Sequence, residues 1–297
     1  MPAGPSPVPT PSGSCSESRE VATPSVLAFP GAEGHGALSV GGSGRHLARP
    51  CTRIYRVTSL ADAGPGSLRE CAEARGPRTC IFDVGGLVRI TKDIRILNPY
   101  LTIAGQTAPW PGIVLRGATL SIEANDVVVQ HLRLRVGDDP RASCCSTGSC
   151  GSTQAPLCTS DPGSRDGLRI RAASGALRNV IVDHVSIAWA LDEGLSFVPE
   201  LGEISQVTVS NSIISSGLDM SIHPEANTPG DLGHSKGVLM NGSKPVTKLS
   251  FIKNLLAHNA DRNIRSSTTL TMEYVNNLVY DWGRGADVAE DVLQALA

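Results

Sequence analysis

The side chains in this chain with the readiest chemistry are its eight cysteines and seven histidines. Four cysteines, Cys144, Cys145, Cys150 and Cys158, crowd into one stretch rich in Ser, Gly and Thr. A structural metal site wants paired CxxC or mixed Cys/His spacing, which that run lacks. Loop-stapling disulfides in an oxidising compartment account for so many cysteines better. Cys71 and Cys80 bracket a short turn and could form a further bridge, leaving Cys15 and Cys51 as a fourth pair or as free thiols. His223, His234 and His258 make a polyhistidine metal site conceivable, but no HxH or HExxH spacing supports one.

The scaffold that would position such groups is legible in bulk composition. Among 297 residues there are 31 Gly and 20 Pro, with 18% charged and 4% aromatic residues, which points to frequent turns between short strands and an all-β fold. A net charge of −2 excludes a globally basic protein, so a polyanion would have to be held by a local cluster of Lys and Arg, and nucleic acid is not an expected partner. No run of about 18 apolar residues occurs, so no membrane association is expected. The first residues lack the basic and apolar regions of a signal peptide, and secretion is inferred from the cysteines and from the function implied below. Residues 1–24 read as a Pro/Ser-rich disordered segment and 25–297 as one domain.

Short apolar/polar alternating segments recur from mid-chain onward. They end at Gln106, Leu132, Val185, Ser212, Asn254 and Asn277, at intervals of 26, 53, 27, 42 and 23 residues. The short intervals suit one turn of a solenoid, and 53 suits two turns or one turn with a large insertion. Insertions are expected to leave on one face. Asn254 and Asn277 recur at equivalent places, where stacked amides could satisfy one another. A sandwich would instead show hairpin turns every ~8–12 residues. The reading is a single-stranded parallel β-helix. Ahead of it, Ser67 followed by Glu70 marks the start of a short helix suited to capping the open end of the stack. Val288–Ala297 could form a second small cap.

The segments FPGAEGHGALSVGG (29–42), LADAGPGSLREC (60–71), LTIAGQTAP (101–109) and VIVDHVSIAWALDEGLS (180–196) resemble the bacterial pectate lyase family. HSKGVLM (234–240), HNADRNIR (258–265) and NNLVYDWG (276–283) follow in the family's order, so the resemblance covers roughly 26–284. It implies a right-handed parallel β-helix that cleaves acidic polysaccharide by calcium-dependent β-elimination. It also implies that further coils would follow those present here, and a monomer is expected.

Elimination takes the proton at C5 of a uronic acid, next to its carboxyl group, while the C4 oxygen leaves. A cation must neutralise the carboxylate, a base must take the proton, and donors must stabilise the developing charge. The resemblance places the calcium-binding carboxylates at Asp166 and Asp192. The family's third falls at Ser196, and Glu193 is taken as its substitute. Arg262 stands at the position of the family's base, where crowding by Lys236, Arg265 and calcium would favour the neutral form and an alkaline rise in activity. Lys236 and Arg265 are assigned to the substrate carboxylate. The motif usually has Pro where Ile264 stands. Asp183 and His184 are assigned to structure, with His184 buried and hydrogen-bonded, and Trp189 and Trp282 to packing. Loops 138–164 and 217–235 are expected to supply subsites. Two other readings remain: a hydrolase of the polygalacturonase type using Asp166, Asp192 and Glu193, or a non-catalytic carbohydrate-binding β-helix.

Overall fold

A computed structural model describes residues 20–21, 25–138, 162–226 and 233–283. After strand β1 (Arg53–Val57) and helix α1 (Leu68–Glu73), the chain follows a three-strand course, β2 (Arg78–Phe82), β3 (Gly86–Arg89) and β4 (Ile94–Ile96). The same course repeats as β5 (Leu101–Ala104), β6 (Ile113–Arg116) and β7 (Leu120–Ile122), then as β8 (Val127–Gln130), β9 (Leu132–Arg135) and β10 (Leu168–Arg171). Next come β11 (Leu177–Asp183), β12 (Ser186–Ala188) and β13 (Glu193–Val198), and β14 (Ile204–Ser210), β15 (Ile213–Ser215) and β16 (Lys236–Met240). The stack ends in β17 (Val246–Ile252), β18 (Leu255–Ala257) and β19 (Asp261–Ser266), followed by β20 (Leu270–Val275) and β21 (Leu278–Tyr280).

Like strands of successive coils pair in parallel, giving three sheets of eight, seven and six strands. The first sheet holds β1, β2, β5, β8, β11, β14, β17 and β20; the second begins with β3 and the third with β4. This is the right-handed parallel β-helix expected, with the crossover hand that parallel strands require. Ala104 pairs with Gln130, Gln130 with Asp183, Asp183 with Ser210, Ser210 with Ile252 and Ile252 with Val275. Those rungs repeat the intervals read from the sequence. Because β8 pairs directly with β11, the 53-residue interval is one coil with an insertion. That insertion (136–167) and the shorter one at 216–235 both leave between the second and third sheets.

Alternation builds the core. Leu168, Leu195 and Val238 stack in one file of the third sheet, and Ile170, Phe197 and Met240 in the next, all buried. A column of this kind removes apolar surface from water continuously along the axis. Corners are turned by single residues at left-handed φ, among them His131, His184, Asn211, Lys253 and Asn276 between the first and second sheets. Hydrogen bonds between coils offset that strain. Asn254 donates through Nδ2 to Asn277 Oδ1 at 2.9 Å and accepts from Ser212 N at 3.0 Å, which is the amide stack expected.

At the N-terminal end, α1 buries Leu68, Cys71 and Ala72 against the first coils. Ser67 Oγ accepts from Glu70 N at 3.2 Å, closing the expected cap. Cys71 and Cys80 form a disulfide with Cα atoms 6.0 Å apart, so the bridge ties the helix to β2. Cys51 is disulfide-bonded too, which removes the free-thiol alternative for it. Arg78 is fully buried and donates to the carbonyls of Cys71, Ala72, Gly76, Asn98 and Pro99, and burial lowers its guanidinium pKa to about 10. Residues 25–47 lie across the outer face of the first sheet. There Gly36 passes so close to the sheet that a Cβ would sit 2.2 Å from Val180 O.

Cys15, Cys144, Cys145, Cys150, Cys158 and the second cap at 288–297 lie outside the described residues. Of the segment 1–24 only Glu20 and Val21 are described, and Glu20 forms an isolated antiparallel bridge with Leu47. Among the described residues no helix is long and apolar enough to cross a membrane.

Candidate active site

A cleft of about 400 Å³ opens on the third sheet, beside the corner where both insertions leave. Its walls include Asp166, Arg169, Asp192, Glu193, Ser196, His223, His234 and Arg262. Asp166 lies two residues before β10, Asp192 on the turn into β13 and Glu193 at its first position. Parallel register then brings neighbouring coil ends together. One oxygen from each of these three acids lies within 4.8 Å of the others.

Each acid is held differently. Asp166 Oδ2 accepts from Ser196 Oγ at 2.5 Å and from Arg169 Nε at 2.7 Å, while its Oδ1 accepts from Glu193 N at 3.2 Å. Ser196, where the resemblance placed a third carboxylate, thus serves as a donor to the first. Glu193 is buried and pairs with the guanidinium of Arg262. Asp192 Oδ1 lies 3.0 Å from His234 Nε2. Burial, and then the charge of Asp166, pushes the Asp192 carboxyl up to about 7. Burial and the charges of Asp192 and Asp166 hold Glu193 well above the usual carboxylate range. Asp192 and Glu193, two carboxyls that resist ionising, form with Asp166 a donor set suited to a hard cation, which would supply the missing positive charge.

Arg262 is the second residue of β19 and takes a left-handed φ of 56°. Glu193 pairs in register with Lys236, and Lys236 with Asp261, so Arg262 reaches across β16 to meet Glu193. Gly237 lies under that crossing, where a Cβ would be 2.6 Å from Arg262 O. Like-charge crowding was expected around Arg262; its close partner is instead an opposite charge.

The other two expected substrate residues stand apart from this cluster. Lys236 is buried and donates through Nζ to Asp261 Oδ2 at 3.1 Å, and it does not line the cleft. Burial would raise the Asp261 carboxyl, but hydrogen bonds from Lys236 Nζ and Arg262 N hold it below its usual range. Arg265 is exposed on β19, in register with Leu239. Between them, β16 and β19 slip register, with Val238 opposite Asn263 and Leu239 opposite Arg265.

Several readings are corrected. Asp183 is buried, accepting from Ser210 Oγ and Asn211 Nδ2 at 2.8 Å each, but the His184 side chain is 50% exposed and merely pairs with it at 2.7 Å. Trp189 and Trp282 are each 49% exposed rather than packed, because Trp189 sits at a left-handed corner and Trp282 directly follows one at Asp281. His258 pairs with Asp281, away from the other histidines. His223 and His234 do come together, stacked with centroids 3.6 Å apart. The sequence hid that pairing because ten residues of an insertion separate them; no local spacing encodes it. Arg169 was also missed, although its place three residues after Asp166 was a usable signal.

No family model matches the chain. It is 36% identical over 264 residues to a protein named probable pectate lyase C from Aspergillus flavus, covering 89% of this chain and 50% of that protein. Proteins of the same name from Aspergillus oryzae and Emericella nidulans match at the same identity and coverage. The chain therefore spans about half the length of these relatives. They are fungal, so the bacterial qualifier on the resemblance is not supported. Among solved structures, the crystal structure of Jun a 1, the major allergen from cedar pollen, matches with a TM-score of 0.44 at 14% identity, covering 86% of this chain and 85% of that one.

Proposed function

We propose that this chain is a polysaccharide lyase that cleaves pectate-like uronic acid chains by calcium-dependent β-elimination, and that it is secreted and acts as a monomer. The observation that carries the reading is the set of Asp166, Asp192 and Glu193 oxygens within 4.8 Å of one another, with Arg262 against them. Three acidic oxygens converging on one point suit a shared cation, and an arginine against them has no place in a two-carboxylate hydrolase. The 36% identity to proteins named pectate lyase C agrees with it.

Asp166, Asp192 and Glu193 are the residues that would hold Ca²⁺, which when bound neutralises a substrate carboxylate and so acidifies the adjacent C5–H. Ser196 and Arg169 keep Asp166 oriented. Arg262, in its neutral guanidine form, accepts the C5 proton on a side-chain nitrogen and becomes guanidinium. The C5–H electron pair becomes the C4–C5 double bond as the C4–O bond breaks, and the leaving oxygen takes a proton from water. The base must first be neutral, since guanidinium has no lone pair to offer. Arg265, exposed one rung out, is suited to a bidentate grip on a second uronate. Lys236 acts on substrate only if Asp261 releases it.

The test is incubation with polygalacturonate, following the ultraviolet absorbance of the unsaturated product with and without EGTA. Absorbance abolished by EGTA is the expected result. New reducing ends without absorbance would mean hydrolysis, and binding with neither signal would leave a carbohydrate-binding β-helix.

A further inference from the structure

The 216–235 insertion places two imidazoles on Asp192. His234 is 2% exposed and His223 4%, and their rings lie face to face with 12° between planes. Both present Nε2 to the same atom, Asp192 Oδ1, at 3.0 Å from His234 and 3.7 Å from His223. Glu225 N donates to His223 Nδ1 at 3.1 Å, which fixes that ring with its proton on Nε2, facing the carboxylate. Beyond His234, Glu225 Oε2 stands 3.3 Å from Nδ1, which has no proton to offer it when the ring's one N–H is on Nε2, so this ring is set by Asp192 and by the stacked His223.

The same bond argues against a transition-metal centre here. A His223 whose Nδ1 already accepts an N–H cannot also ligate through Nε2 without becoming an imidazolate. The geometry suits donation to Asp192 instead. An imidazole N–H can hold a carboxylate without setting a full positive charge beside an incoming cation, as Lys or Arg would.

We propose that His234, supported by His223 and Glu225, is a positioning residue of the cation site: it commits Asp192 Oδ1 to an imidazole donor and leaves Oδ2 for a hard divalent cation. This rests on the calcium reading above. It adds that a loop insertion, rather than the coil alone, sets the affinity of the site. Such outer partners of a ligand change metal affinity by about 10–100-fold when removed.

The experiment is calorimetric titration of the full chain with CaCl₂ in the absence of polysaccharide, for wild type and for His234→Leu, His234→Gln, His234→Asn and His223→Leu, with circular dichroism to check folding. His234→Leu is expected to raise the calcium Kd by about 10–100-fold. His234→Gln, whose amide reaches where Nε2 lies, should restore most of the affinity, whereas His234→Asn, which reaches only as far as Nδ1, should not. His223→Leu should cost less, given its longer approach. Should His234→Leu misfold, the contrast between Gln and Asn decides alone. Equal Kd values for the wild type and the His234 variants overturn the inference and leave the calcium reading standing. A wild type that binds no calcium removes both.

Discussion

Arg262 on β19 holds Glu193 on β13 in an ion pair that spans the intervening strand β16. A guanidinium so engaged is anchored by a carboxylate that also belongs to the cation set. The two proposed functions of the cleft, holding an ion and moving a proton, therefore share one contact.

Replacing Arg262 by Ala should lower kcat by roughly 10²–10⁴-fold, the usual worth of a positioned proton acceptor. Calcium affinity should be retained, because the three carboxylates remain. Steady-state rates on polygalacturonate together with calcium titration read both quantities, and full activity in the variant would remove Arg262 as base.

Asp192 links folding to pH in a defined direction. Its folded pKa of about 7 lies above the ordinary carboxylate value, so between pH ~4 and 7 the folded chain binds more protons than the unfolded one, and this group's contribution to stability falls as pH rises through that window. Asp192→Asn should therefore raise the melting temperature of the chelator-treated protein at pH 7.5 and change it little near pH 4. A scan of wild type and variant in EDTA at the two pH values checks this, and a larger gain at pH 4 would contradict it.

Calcium should act on the same group with opposite sign. Because binding must displace the proton from Asp192, affinity should be weaker at pH 6 than at pH 8 by up to about tenfold. Equal Kd values at the two pH values would show that the carboxyl is already ionised.

Asn254→Ala should destabilise the fold by about 2–3 kcal/mol, since it leaves Ser212 N and Val209 O in the buried corner without their partner. Denaturant unfolding measures the loss. Asn254→Asp should cost a similar amount, because the lost amide N–H groups served Val209 O and Asn277 Oδ1.

The coil was legible because stacking imposes a period on the chain, and the intervals between Gln106, Leu132, Val185, Ser212, Asn254 and Asn277 return as the register of the first sheet. The carboxylates and Arg262 were legible through the motifs around them. What the motifs did not carry was pairing at a distance. Nothing local to Arg262 names Glu193, which lies 69 residues earlier, and nothing local to His234 names Asp192. Exposure was misjudged at His184 and Trp189 for a related reason: both sit at left-handed corners, where the strand alternation that predicts burial stops.

Residues 35–42 run along the outside of the first sheet and make hydrogen bonds to Ser250, Thr208, Asp126 and Thr102, which belong to four different coils. A stack whose coils touch only their neighbours can unzip from either end, one rung at a time. A lengthwise strap couples rungs that are otherwise remote, so fraying at one end must also strip the strap from the middle. Melting is thereby made more nearly all-or-none, and a protease that cut the strap would convert a single sharp transition into a graded one.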